Sequence, residues 1–277
     1  MVRECGQGVT AVKKTGFMIL LTVVVLWGMV ADVRAASVVE EDFSRYFADL
    51  NGTFVLYDPA TDTYRIHNPA QSNRRLAPCS TFKIFNSLIG LEVGVLDRDD
   101  AKTRMAWDGT RHGIESWNRD HTLASATRNS VVWYYQQLAQ RIGAERMQRY
   151  LDRIDYGNRD ISGGLTRFWL QSSLQITARE QVELLTRLHA GQLPFTDETR
   201  AIVLRNITLS SDNGVRLLGK TGSGFQDGKW ILGWFVGYVE REGKVYVFAT
   251  NVEGPDGANG GRARTITQAI LRDIGLL

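Results

Sequence analysis

The sequence predicts an α+β fold: an antiparallel β-sheet flanked by helices, with a central helical lobe. Three observations predict it. Strand patterns occur at both ends of the chain, helix patterns fill its middle, and 277 residues are enough for a large core. A sheet assembled from the N- and C-terminal parts and covered by the last helix buries the apolar face of every element. A site would lie at the seam between this sheet and the helical lobe.

The first segment reads as an address rather than as part of the fold. Lys13 and Lys14 precede an apolar run from Phe17 to Val30, and Val33-Arg34-Ala35-Ala36 follows with small residues. A charged start, apolar middle and small-residue end make a secretory signal peptide, residues 1–36, cleaved near Ala35 or Ala36. The run is about 14–16 residues, short of the roughly 20 that span a bilayer, so no stable membrane anchor is expected. The expectation is export, to the periplasm or the medium, leaving 37–277 as one catalytic domain. Without Arg3, Lys13, Lys14, Arg34, Glu4 and Asp32, the 33 basic and 30 acidic residues fall to 29 and 28. A charge near +1 gives no reason to expect a nucleic-acid partner. Cys5 would leave with the leader, so Cys79 remains alone and no intramolecular disulfide is expected.

Along the rest, Gly52–Tyr57 and Tyr64–His67 read as a hairpin around the turn cluster Asp58–Asp62. Thr81–Gly94 is too uniformly apolar for a surface helix and reads as a buried one. Asp97–Thr122 is polar and irregular. Leu123–Ile142 reads as one helix stopped by Gly143, and Ala144–Ile154 as another. Tyr156–Leu170, with three glycines, reads as a long loop. Thr177–His189 opens with a Thr-x-x-Glu capping box. Val215–Leu218 is a short strand, Trp230–Val239 and Lys244–Val252 are two apolar ones, and Arg264–Leu277 closes the chain as a helix.

The chemistry concentrates in two motifs about 140 residues apart, Ser80-Thr81-Phe82-Lys83 and Lys220-Thr221-Gly222. In a helical turn residues i and i+3 share a face, so Lys83 Nζ reaches Ser80 Oγ. A serine hydroxyl is a weak nucleophile that an adjacent base activates. Lys220 and Thr221 offer a cation beside a hydroxyl, suited to a substrate carboxylate, and Gly222 permits close approach of the strand. Cys79 beside Ser80 is a rival nucleophile, but a free cysteine is usually a small buried hydrophobe, and Lys83 is spaced for Ser80.

With Ser130-Val131-Val132, Tyr156-Gly157-Asn158 and Phe168-Trp169-Leu170 added, the set beginning Pro78-Cys79-Ser80 resembles the class D serine β-lactamases, the oxacillinases. The resemblance covers nearly all of the chain after the leader. It implies a serine β-lactamase / penicillin-binding transpeptidase-like fold and hydrolysis of penicillin-type antibiotics through an acyl-enzyme on Ser80. It implies that Lys83 is N6-carboxylated and serves as general base. No cofactor is expected beyond the CO2 or bicarbonate this needs, and the partner is a small-molecule β-lactam. Trp169 would donate its indole N–H to the carbamate, in a pocket with Val132 and Phe82. Ser130 would pass a proton to the leaving lactam nitrogen, and the backbone N–H groups of Ser80 and Ser223 would form the oxyanion hole. The substrate-carboxylate arginine falls in register on Ala263, flanked by Arg262 and Arg264; Arg262 is the reading adopted.

Other classes fit less well. Gly214–Thr221 matches the phosphate-loop pattern G-x-x-x-x-G-K-[ST], but Val215–Leu218 is itself strand-like and no helix opens after it. His67, His112, His121 and His189 form no metal-ligand pair, so no metal is expected. A β-lactam sensor that acylates without turnover would need membrane segments and a signalling domain. A penicillin-binding transpeptidase would share Ser80, Lys83 and Lys220 but is less compatible with the Phe168-Trp169-Leu170 loop and Ser-Val-Val.

Overall fold

Alternation along the long strands builds the fold. In the computed structural model, which describes residues 1–8, 11 and 35–277, Phe54 and Leu56 face one apolar cluster while Val55 faces another. Trp234, Val236 and Tyr238 likewise face one side, and Phe235 and Val239 the other. A sheet with two apolar faces must be covered on both.

The fold of Ala36–Leu277 has strands β1 Ser37–Glu40, β2 Asn51–Asp58 and β3 Thr63–His67 near the N-terminus. After the short helix α1 Pro69–Ser72, the helices are α2 Lys83–Glu92, α3 Leu123–Arg128, α4 Val132–Ile142, α5 Ala144–Ile154, α6 Ala178–His189 and α7 Asp197–Asn206. Strands β4 Thr208–Asp212, β5 Val215–Gln226, β6 Lys229–Arg241 and β7 Lys244–Glu253 follow, then α8 Gly260–Asp273. The sheet order is β1-β3-β2-β7-β6-β5-β4. All neighbours are antiparallel except β1 with β3, so the expected antiparallel sheet carries one parallel edge pairing.

Helix α8 lays Ala263, Ile266, Ile270 and Leu271 on one face, against Phe235 and Phe248. On the other face lie α6 and the helical lobe, whose core includes Phe82, Phe85, Leu138 and Leu185. Fully burying such side chains contributes about 1.5–3 kcal/mol each. The expected α+β layering holds, with β2 joined to β7 in the middle of the sheet.

Three element boundaries depart from expectation. The region 123–142 is two helices, α3 and α4, interrupted at Asn129-Ser130-Val131. β5 runs 12 residues, so Lys220-Thr221-Gly222 lies inside a strand paired throughout with β6. That pairing also removes the phosphate-loop reading, since Val215–Thr221 is strand and leaves no loop to cradle a phosphate. α8 begins at Gly260, four residues before the expected start, with the Asn259 side chain accepting from Arg262 N. The leader expected over residues 1–36 falls mostly outside the described residues. Among the described residues no helix is long and apolar enough to cross a membrane.

Candidate active site

Ser80 sits in a 3-10 turn, Cys79–Phe82, that runs directly into α2. Pro78 opens the turn, and its carbonyl accepts from Thr81 N at 3.1 Å and Thr81 Oγ1 at 2.8 Å. Lys83 is the first residue of α2, and its side chain is fully buried. Its Nζ donates to Ser80 Oγ at 2.6 Å, to Ser130 O at 2.9 Å and to Ser130 Oγ at 3.1 Å. The i,i+3 spacing therefore does what the sequence promised.

The break between α3 and α4 delivers Ser130. Its φ of 53° is left-handed, a conformation that only a few per cent of non-glycine residues adopt. Backbone bonds Ser130 N to Thr127 O at 3.2 Å and Val131 N to Ala126 O at 3.0 Å hold the bend. Trp117 Nε1 donates to Asn129 O at 2.9 Å, pinning the bend from the irregular segment. So placed, Ser130 Oγ also accepts from Lys220 Nζ at 2.9 Å, and one hydroxyl lies between two lysines.

Neither lysine is paired with a carboxylate among the described residues. Burial, followed by repulsion from Lys220, drives the Lys83 amine well below its ordinary range. Burial alone lowers Lys220 to about 7. Desolvation disfavours the charged ammonium, and an unprotonated amine can act as a base. Cys79 shows the converse: its thiol is buried and pushed up to about 12, which keeps it inert.

Strand β5 presses against the nucleophile turn. A Cβ on Gly222 would sit 2.8 Å from Pro78 O and 3.2 Å from Ser80 N. The glycine thus serves closeness to the Ser80 turn, where the sequence reading had closeness to a ligand. Ser223 Oγ accepts from Gly260 N at 2.9 Å, which ties β5 to the start of α8. Gly260 is equally confined: a Cβ there would lie 2.8 Å from Thr221 Cβ.

A cleft of about 390 Å³ opens over these groups, lined by Ser80, Ser130, Val132, Thr221 and Ser223. Its rim is apolar: Ile114, Leu170, Phe225 and Trp230. Phe82 and Trp169 are fully buried, with ring centroids 5.8 Å apart. Trp169 Nε1 is buried without a hydrogen-bond partner. A buried N–H normally has one, and indole has no other donor. Acceptor oxygens carried by a neighbouring group would satisfy it, so the residues present fit a carboxylated lysine.

Arg262 stands apart from the other expected residues. It is exposed on the first turn of α8 and is not among the residues lining the cleft, while Ala263 is buried. Arg264 lines a different cavity together with Lys220 and Thr221. Sequence reasoning missed Trp117, Gln171 and the rim residues Ile114, Phe225 and Trp230. Ile114 and Trp117 carried one signal, apolar and aromatic residues in an otherwise polar segment; Gln171 carried none, and Phe225 and Trp230 lie in β5 and β6.

Comparison with known proteins agrees with this geometry. The family described as "Penicillin binding protein transpeptidase domain" matches residues 52–274. "Probable beta-lactamase YbxI" of Bacillus subtilis is 46% identical over 232 residues, covering 83% of this chain and 84% of that protein. The solved class D β-lactamase from Bacillus subtilis superposes with a TM-score of 0.80 at 44% identity, covering 86% of this chain and 97% of that one. This chain belongs to the class D serine β-lactamase family. Family membership does not separate hydrolases from receptors here. The C-terminal domain of the Bacillus licheniformis BlaR penicillin-receptor superposes with a TM-score of 0.84 at 36% identity, covering 88% of this class D chain and 99% of that domain.

Proposed function

We propose that this protein hydrolyses β-lactams through an acyl-enzyme on Ser80, with Lys83 as general base in its N6-carboxylated form. The observation that carries the reading is the buried, depressed-pKa Lys83 amine 2.6 Å from Ser80 Oγ. Ser80 attacks the lactam carbonyl, and its proton passes to the base at position 83. Backbone N–H groups of Ser80 and Ser223 receive the developing oxyanion; such donors contribute roughly 2.7–4 kcal/mol each. Ser130, shared between Lys83 and Lys220, relays a proton to the leaving nitrogen. Lys220 and Thr221 orient the substrate carboxylate.

A carboxylate on Lys83 Nζ supplies a base able to activate both Ser80 and, later, a water. An uncharged amine is the form that takes up CO2, and burial keeps Lys83 in that form. The unpartnered Trp169 N–H supports the same reading. Fully buried Phe82, with Val132 on the cleft wall, would give that carboxylate apolar surroundings.

The second reading is a sensor that acylates without turnover, favoured by the fit to the penicillin-receptor domain. A chromogenic cephalosporin decides between them, assayed at mildly acidic pH with and without bicarbonate. Steady turnover that falls at low pH and recovers with bicarbonate is expected. One stoichiometric burst with no steady state, despite bicarbonate, overturns the hydrolase.

A further inference from the structure

A second cavity, of about 310 Å³, lies beyond Lys220 from Ser80. Its walls are the last turn of α3, the junction of α7 with β4, the strand at Gly219–Thr221 and the start of α8. Four cations line it, Arg128, Arg205, Arg264 and Lys220, and no acidic residue does. Among the described residues, none of these three arginines is within 4.0 Å of a carboxylate, although nearby Arg98, Arg200 and Arg216 each are.

Part of this charge has a local cause. Arg128 and Arg205 stand in the last turns of α3 and α7, where a cation complements the helix dipole. Arg264 has no such cause. It lies near the N-terminus of α8, the positive end, whose first turn holds no acidic residue. Gathering it with two more guanidiniums and the buried Lys220 amine around one cavity is unfavourable unless an anion joins them. Guanidinium forks match tetrahedral oxyanions in geometry as well as charge. At roughly 30 Å³ per water, the cavity has room for such an ion with several waters.

We propose that this cavity binds a multivalent oxyanion of the phosphate class, at a site separate from the cleft over Ser80. The two spaces meet at Thr221, the one residue lining both. An anion held by Arg128, Arg205 and Arg264 would therefore sit beside the Lys220 side chain without touching Ser80. The binding stands on the geometry of the cavity and does not require the hydrolase reading.

The test is calorimetric titration of the full chain with inorganic phosphate, at ionic strength held constant with sodium chloride. A single saturable site is expected, weakened at least tenfold in the Arg128→Ala/Arg205→Ala double variant. Both side chains are exposed, and the Arg128→Lys/Arg205→Lys pair, which keeps the charge, should bind within a few-fold of wild type. No saturable binding up to about 10 mM, well past the millimolar range, overturns the proposal. So does binding that survives in the alanine pair but disappears once Ser80 is acylated, because the anion would then occupy the substrate-carboxylate position. The titration does not read turnover, so its failure leaves the hydrolase reading intact, and absence of turnover leaves this site intact.

Discussion

Lys83 and Lys220 are buried lysines, and burial shifts both in a measurable direction. Lys220 falls from 10.5 to about 7 in the fold. Between those values the unfolded chain holds a proton that the folded chain has lost, so stability rises with pH. In a Ser80→Ala background, unfolding free energy should climb between pH 7 and 9 by up to about 1.4 kcal/mol per pH unit. Lys83, also driven below its ordinary range, adds to that slope. Urea unfolding at three pH values reads the total, and Lys220→Met should reduce it without abolishing it. Trp169 makes a separate claim. Trp169→Phe keeps most of the ring and removes the N–H left without a partner. A charge-assisted hydrogen bond of ~1.5 kcal/mol corresponds to roughly tenfold, so half-maximal activity should need about ten times more bicarbonate. An unchanged bicarbonate requirement would leave Trp169 no part in holding the proposed carbamate.

Elements are held where they are by single residues at their ends. Thr177 and Glu180 form a reciprocal capping box at the start of α6, with Glu180 also 2.5 Å from Arg75. Thr177→Ala should cost about 1 kcal/mol in chemical denaturation with turnover per folded molecule preserved. The contact of β5 with the Ser80 turn is less forgiving. Gly222→Ala would drive a methyl onto Pro78 O and Ser80 N, both backbone atoms that cannot rotate away. Shifting the nucleophile turn by even about 1 Å should lower kcat/KM by around 10²-fold, while the melting temperature moves little. Steady-state kinetics beside a thermal melt separates the two effects. The helix break at Ser130 belongs to the same scale. Asn129-Ser130-Val131 contains no glycine or proline, and apolar periodicity continues across it, so the sequence reads as one helix. Besides its own backbone bonds, the bend is pinned by Trp117 and the two lysines, none of them near it in sequence.

For the molecule as a whole, what is legible depends on whether the cause is local. The bounds of α5 and the cap of α6 follow from short-range signals and are read correctly. Strands β6 and β7 are long apolar runs and are found within a few residues. α7 and β4 go unread because few of their residues are buried: α7 covers Thr199, Ile202 and Val203, and β4 is an exposed edge without alternation. The start of α8 is missed because two glycines argue against a helix, although only glycine fits where Gly260 meets Thr221. In the site, Ser80, Lys83, Ser130, Lys220, Thr221 and Ser223 meet as their motifs imply. Arg262 does not join them, since one residue of rotation on a helix decides which way a side chain faces.

The pairing of β2 with β7 also sets a timetable for the newborn chain. Tyr57 pairs with Val247, so β2 leaves the ribosome about 190 residues before its central partner exists. At roughly 5–20 residues per second, that interval is on the order of 10–40 s. Throughout it, β2 and the β3 hairpin have an unfilled edge, and for most of it the nucleophile turn lacks β5, whose Gly222 packs against it. The sheet behind the reactive serine closes only after β7 and α8 emerge, so until then the nascent chain should be open to proteases and to holding factors.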